Sequence, residues 1–231
     1  MKLKNIVLLL LAVFFSSCLS GGDEEDDEIV HDDFDAAVVC PESGTNTYGM
    51  PNRGTFVDER DSNSYRYTTI GKRVWMAQNL RFFDIEHYDY DFKGSTCYYE
   101  EDSCAEKGFA YYDNGYRENA CPLGWHLPDI EEWNELIKTM GGDTLAASRL
   151  KSSSGWKPLN PGDNGNGSDD CGFSVLPAKT TVYGYDGYRA YFVSSSPGLL
   201  GKLTKIFDTD DPVIKQSDWS SANASIRCVM D

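Results

Sequence analysis

Seven cysteines in 231 residues constrain this chain more than any other feature, because their chemistry depends on the compartment in which it folds. The first residues address the compartment. Lys2 and Lys4 precede an apolar run, residues 6–15, that is too short for a permanent membrane span, and Phe15-Ser16-Ser17-Cys18 sets small residues ahead of a cysteine. Residues 1–17 therefore read as a secretory signal of the bacterial lipoprotein type. The expectation is that Cys18 is acylated and holds the protein at the outer membrane, on the cell surface or the periplasmic face. Each acyl methylene buried in lipid adds about 0.8 kcal/mol. Setting Cys18 aside leaves Cys40, Cys97, Cys104, Cys121, Cys171 and Cys228. An even set in an exported chain reads as a disulfide framework, and six cysteines allow fifteen connectivities. Cys97 and Cys104 flank a short acidic stretch they could close locally. None of the spacings resembles a zinc ribbon.

Residues 19–52 carry ten acidic side chains and no Lys or Arg. A block of like charge with little to bury predicts an extended, solvated tether over 18–52. The acidity is local: the whole chain is −16, whereas residues 53–231 hold 27 acidic and 19 basic residues, a net −8. Nucleic acid is disfavoured as a partner, since it asks for a clustered basic face. Contact with the membrane is expected through the lipid anchor alone. The 179 residues from 53 to 231 are enough for one domain with a core of its own.

Within that domain, residues 54–58, 65–70 and 73–80 read as strands separated by turn formers. In the third, Val74 and Met76 face one side and Trp75 and Ala77 the other, so both faces are expected to be covered. Residues 81–104 read as loop and 108–112 as a short strand. Asp129 is a helix N-cap, with Glu132 completing a capping box, and Ile130, Trp133, Leu136, Ile137 and Met140 form one stripe before Gly141-Gly142. A second helix is predicted over 144–151. A polar loop over 152–170 precedes strands over 172–176, 188–194, 203–207 and 225–230. Two helices followed by many short strands is the α+β pattern.

Seven ordered segments resemble a known family. They are Gly54-Thr-Phe-Val-Asp-Glu-Arg-Asp61, Ile70-Gly-Lys-Arg-Val-Trp-Met-Ala-Gln-Asn-Leu80, Cys121-Pro-Leu-Gly-Trp-His-Leu-Pro128, Glu132-Trp133, Leu150-Lys-Ser-Ser-Ser-Gly-Trp156, Gly172-Phe-Ser-Val-Leu-Pro177 and Ile226-Arg-Cys-Val229. Together they resemble the Fibrobacter succinogenes major paralogous domain over residues 53–231. That resemblance implies a C-type-lectin-like fold, related to formylglycine-generating enzymes, in a single disulfide-stapled domain of an exported lipoprotein. It further implies that Cys121 pairs with Cys228 and that Cys97–Cys104 is a local bridge. Cys40 and Cys171 then remain, and pairing them would staple the tether to the Asp/Asn loop. Two departures stand out: Tyr191-Phe192-Val193-Ser194-Ser195 lacks the Trp often found there, and the stretch between Tyr112 and Cys121 is short and has none.

Candidate sites are few. The loop Asn160-Pro-Gly-Asp-Asn-Gly-Asn-Gly-Ser-Asp-Asp170 offers hard oxygen donors, with Asp163, Asn166, Asp169 and Asp170 as the calcium ligands it would supply. No Glu follows at the EF-hand's twelfth position, and the Glu-Pro-Asn and Gln-Pro-Asp motifs of sugar-binding C-type lectins are missing. Tyr183, Tyr185, Tyr188 and Trp219, in or beside polar loops, are candidate sugar-stacking residues, and Trp156 lies near them. Trp75, Trp125 and Trp133 read as core, and His126 as a satisfied core histidine. No Ser-His-Asp set or phosphate-cradling loop can be assembled, and every domain cysteine has a structural use, which argues against an oxidase. The expectation is a non-catalytic domain that binds extracellular polysaccharide or an envelope protein. The alternative is a structural envelope lipoprotein without a soluble ligand.

Overall fold

The computed structural model describes residues 33–82, 95–96, 107–108, 110–111, 119–177, 187–199, 202–218 and 224–231. Helix α1 (Ala36–Val39) precedes strands β1 (Arg53–Val57), β2 (Ser64–Ile70) and β3 (Arg73–Met76), then β4 (Ser95–Thr96), β5 (Ala110–Tyr111) and β6 (Trp125–His126). Helices α2 (Ile130–Thr139) and α3 (Ala146–Leu150) follow, and β7 (Arg189–Pro197), β8 (Lys202–Asp208), β9 (Lys215–Asp218) and β10 (Val229–Met230) complete the chain. The strands form a five-stranded sheet in the order β1-β2-β3-β10-β6, a three-stranded sheet β7-β8-β9 and the pair β4-β5. Every pairing among these named strands is antiparallel, so the class is α+β.

Period-two alternation in the strands divides the apolar residues between two cores. Trp75 on β3, Phe192 on β7 and Val229 on β10 face α2 and α3, where they join Trp133, Leu136, Ile137, Met140 and Leu150. Their neighbours Val74, Met76, Tyr191, Val193 and Cys228 point the other way, into a second cluster with Tyr65, Leu80 and Trp125. Both faces of β3 are covered, as its two-sided apolar pattern predicts. The ring centroids of Trp75 and Trp133 lie 5.2 Å apart, and those of Trp133 and Phe192 5.4 Å apart. Aromatic pairs at this spacing add to the burial term.

Helix α2 starts where local chemistry says it should. Asp129 Oδ1 accepts the Glu132 N–H at 2.7 Å, and Glu132 Oε2 accepts the Asp129 N–H at 3.0 Å. This reciprocal cap is worth about 1 kcal/mol. The helix stops at Gly141 and Gly142, whose φ of 99° and 83° other residues adopt only with strain.

Several expectations need correction. The stretch 172–176 is not a strand: it makes one parallel bridge, Val175 to Lys151, because Gly172 and Ser174 are left-handed at φ 66° and 55°. Only Val229–Met230 of 225–230 is strand, since Ser225 bridges to Phe192 of the other sheet and the segment changes partner midway. Strands β4, β6 and β9 had no sequence signal: Ser95–Thr96 lies in the stretch 81–104 read as loop, and the Lys-Gln-Ser-Asp of β9 offers no apolar alternation. A third helix, α1, lies inside the stretch read as tether.

That stretch is docked from residue 33 onward. Phe34, Ala36 and Val39 pack on the helical core, with the Arg149 guanidinium 4.0 Å from the Phe34 ring centroid. Gly71 N–H donates to Val39 O at 2.8 Å, and Arg53 pairs with Glu42 at 2.9 Å. The firmest tie is covalent: Cys40 is bonded to Cys171 across 131 residues. A second bridge joins Cys121 to Cys228 across 107 residues. Cys18, Cys97 and Cys104 lie outside the described residues.

Each long loop is worth about 5 kcal/mol in the chain-entropy model, and the two are not additive because they overlap in sequence. Replacing Cys40 and Cys171 together by Ser is expected to lower the unfolding free energy by about 2–5 kcal/mol in a denaturant titration. Peptide mapping of the oxidised protein should return the Cys40–Cys171 and Cys121–Cys228 pairs. An unchanged midpoint in the double variant would show that the docked segment does not depend on its staple.

Candidate functional site

The residue that organises the site is Arg227, which is fully buried. Its Nε donates to Asn79 Oδ1 at 2.7 Å and its Nη2 to Ser174 O at 2.8 Å. Nη1 donates to Phe173 O and, at 3.4 Å, to Met76 O. The guanidinium carbon sits 4.7 Å from the Phe173 ring centroid, a cation–π contact. These acceptors are neutral amide oxygens, so no carboxylate neutralises the charge at contact. Burial pushes the Arg227 pKa down from 12.5 to about 9, with Asp169 opposing the fall and Arg66 adding to it, and the group stays cationic at neutral pH.

Asn79 and Ser174 stand on opposite walls of a cleft of about 430 Å³, so the guanidinium fastens one wall to the other. The first wall runs from β2 and the end of β3 and presents Arg66 and Gln78. Gln78 Oε1 accepts the Arg66 N–H at 2.8 Å, which fixes the amide at the sheet edge. Asn79 is further held by Lys107 O at 2.8 Å and Ser225 Oγ at 3.3 Å.

The second wall follows α3. Ser152 is buried, donating to Ser154 O at 2.8 Å and accepting from Trp156 Nε1 at 3.2 Å. Asp169 accepts twice from Ser174, from N–H at 2.7 Å and Oγ at 2.5 Å. Both are left-handed, at φ 54° and 55°, and among the described residues only Ser62 shares that trait outside glycine. Such backbone costs about 1–3 kcal/mol per residue and gathers at functional sites. Ser153 and Ser154 are exposed on this wall. Their hydroxyls, the Gln78 Nε2 and the Arg66 guanidinium make no hydrogen bond among the described residues. These four groups are what the cleft offers a ligand.

The oxygen donors of the 160–170 loop are spread over separate tasks. Asp163 takes the Asn160 amide at 2.9 Å, Asn166 Oδ1 takes the Trp156 N–H at 3.0 Å, and Asp170 faces Arg149 at 3.6 Å. Asp169 is the partner of Ser174. Among the described residues no group of three His, Cys, Asp or Glu side chains is placed to hold a metal ion. Two of the glycines there serve packing: a Cβ on Gly165 would lie 2.3 Å from Thr209 Oγ1, and one on Gly167 2.3 Å from Ser148 O.

Tyr188 is half-buried beneath Lys157, whose Nζ is 5.8 Å from the ring centroid, while Tyr183, Tyr185 and Trp219 lie outside the described residues. Trp75, Trp125 and Trp133 are buried as expected. Trp156 joins them, with its Nε1 also bonded to Val175 O at 2.9 Å, so it is core and not a platform. His126 needs correction: its side chain is 39% exposed and lies between Asp231 at 2.7 Å and Glu132 at 3.1 Å. The acidic partners come from the C-terminal residue and from the capping-box Glu, neither of which any motif links to His126. Arg66, Gln78, Ser153 and Ser154 were not singled out from sequence. The available hint was that the Ile70–Leu80 and Leu150–Trp156 segments carry polar residues no strand or helix requires.

A disulfide-stapled α+β domain with one polar, arginine-backed cleft is thus the class of protein the structure defines. The chain belongs to the Fibrobacter succinogenes major domain family, whose model matches residues 68–230. No curated protein matches the chain, and no solved structure does.

Arg227→Lys tests the fastening role. A lysine keeps the charge but loses the planar fork, leaving at least two buried oxygens without a donor. The expected loss is about 2–4 kcal/mol in urea unfolding. A loss below about 0.5 kcal/mol would mean that the cleft walls hold each other without the guanidinium.

Proposed function

We propose that this chain is an exported, lipid-anchored cell-envelope protein whose domain is a non-catalytic binding module for extracellular polysaccharide. The single observation that carries the reading is the set of uncommitted polar groups in the cleft, two hydroxyls, an amide and a guanidinium that make no hydrogen bond among the described residues. Sugars are recognised by such convergent hydrogen-bonding groups in a preformed cleft, and about 430 Å³ lies within the range of small-ligand sites. The described lining sets no histidine, cysteine or lysine beside its hydroxyls, and its one hydroxyl–carboxylate contact, Ser174 to Asp169, belongs to the frame that holds Arg227. A C-type-lectin-like arrangement belongs to the same proposal.

Location is part of the reading. The apolar leader with Cys18 at its end supports a lipid anchor, and the long-range disulfides accord with folding in an oxidising compartment.

Retention of the full oxidised chain on immobilised cell-surface and growth-substrate polysaccharides, with and without a chelator, tests the module. Binding that survives the chelator and falls about tenfold in Ser153→Ala/Ser154→Ala is the expected result. Retention by envelope proteins and by no polysaccharide would replace the ligand class. Cys18→Ser should move the protein from the membrane fraction to the soluble one, and undiminished sedimentation with membranes would remove the anchor.

A further inference from the structure

Arg66 stands apart from the other arginines among the described residues. The chain carries −16 overall, and the other described arginines are engaged: Arg53 by Glu42, Arg60 by Asp58, Arg73 by Glu132 and Glu135, Arg149 by Asp170, Arg189 by Asp208, and Arg81 and Arg227 by backbone oxygens. Arg66 is exposed on the cleft lip, its backbone N–H is bonded to Gln78, and its guanidinium makes no hydrogen bond or ion pair among the described residues. In so acidic a protein an arginine beside a cavity with no partner among the described residues is not explained by solubility.

The charge behind the cleft has the same sign. Arg227 is buried between the walls and meets only neutral oxygens. Among the described residues Asp169 is the one carboxylate in the lining, and both its oxygens are taken by Ser174. Two arginines against one engaged aspartate leave the cleft cationic among the described residues, and the three groups are near enough to act on one another.

We infer that the cleft takes an acidic sugar, a uronate residue of a polysaccharide, with its carboxylate on Arg66 and its hydroxyls on Gln78, Ser153 and Ser154. The inference rests on the polysaccharide-binding reading above and narrows it. A guanidinium matches a carboxylate in a two-point, charge-assisted fork that a neutral sugar cannot supply. The hydroxyl and amide donors within the same cleft are what separate a saccharide from an acidic peptide. Because the protein as a whole repels anions, recognition depends on this short-range pairing. Salt therefore has to be held near physiological strength, where the Debye length is about 8 Å.

The test uses the full oxidised chain and three soluble polymers: polygalacturonate, the same polymer after carboxyl reduction, and poly-glutamate of similar charge density. Titration calorimetry is expected to show binding to polygalacturonate, weakened about tenfold or more on carboxyl reduction and by Arg66→Ala, with Arg66→Lys retaining part of the affinity. Arg66→Gln, with an unfolding midpoint matching the parent, guards against a folding defect. Equal affinity for the native and reduced polymers, unaffected by Arg66→Ala, would overturn the acidic specificity and leave the polysaccharide module standing. Poly-glutamate binding as tightly as polygalacturonate would overturn the assignment to a sugar. Failure of these polymers while neutral polysaccharides bind would overturn this inference alone, and failure of every polysaccharide would bring down the reading beneath it.

Discussion

Residues 224–230 are the part of this structure on which the others depend, because two sheets and two cores meet along that one segment. At its start Ser225 donates to Tyr191 O at 2.8 Å and accepts from Val193 N–H at 3.3 Å, which ties it to the three-stranded sheet. From the next residue on it runs beside β3 and the residues that follow β3, with Leu80 N–H on Ile226 O at 2.9 Å and Met76 N–H on Cys228 O at 3.0 Å. Its side chains divide between the two cores, Ala224, Ile226 and Cys228 entering one and Val229 the other. The bond from Cys228 to Cys121 then fixes this crossing point to the turn that leads into α2.

Placing an arginine at the centre of such a segment is costly, since a buried cation loses its hydration. Here the cost is offset by oxygens that come with the backbone, namely the carbonyls of Met76, Phe173 and Ser174, together with the Asn79 side chain. The arrangement turns an expensive group into a brace that spans the cleft. It also explains why the left-handed geometry at Ser174 is maintained: Asp169 holds its amide and hydroxyl on one side while Arg227 holds its carbonyl on the other. Rigidity of this kind is what a preformed binding cleft needs, because little conformational freedom is left to lose when a ligand enters.

Legibility followed the range of the interactions. The capping box of α2 and its apolar stripe were readable because Asp129, Glu132 and the residues that follow decide them locally. The two-sided pattern of β3 was readable because alternation on a covered strand is a property of neighbours. The resemblance supplied the Cys121–Cys228 bridge, and Cys40–Cys171 remained as the pair left over. The acidic stretch misled at its C-terminal end, where composition outweighed Phe34, Val39 and Cys40 in the reading, although these few residues suffice to dock it. Residues 172–176 looked like a strand because nothing in Gly-Phe-Ser-Val-Leu announces that Ser174 is left-handed. The cleft was beyond reach for a similar reason: Arg66, Gln78, Ser153 and Asp169 come from three separate stretches, the first two joined at the sheet edge and the walls tied to each other by Arg227 through Asn79 and Ser174. His126 was misjudged because its carboxylates arrive through tertiary structure.

Native-state hydrogen exchange tests most directly whether the closing segment makes the two sheets one cooperative unit. The amides of Met76 and Leu80 report on the five-stranded side of the crossing, and those of Val193 and Ser225 on the three-stranded side. The account predicts that all four exchange through a single opening whose free energy equals that of global unfolding. Exchange of Val193 and Ser225 through a cheaper opening, with Met76 and Leu80 still protected, would show that the smaller sheet detaches by itself and would contradict it.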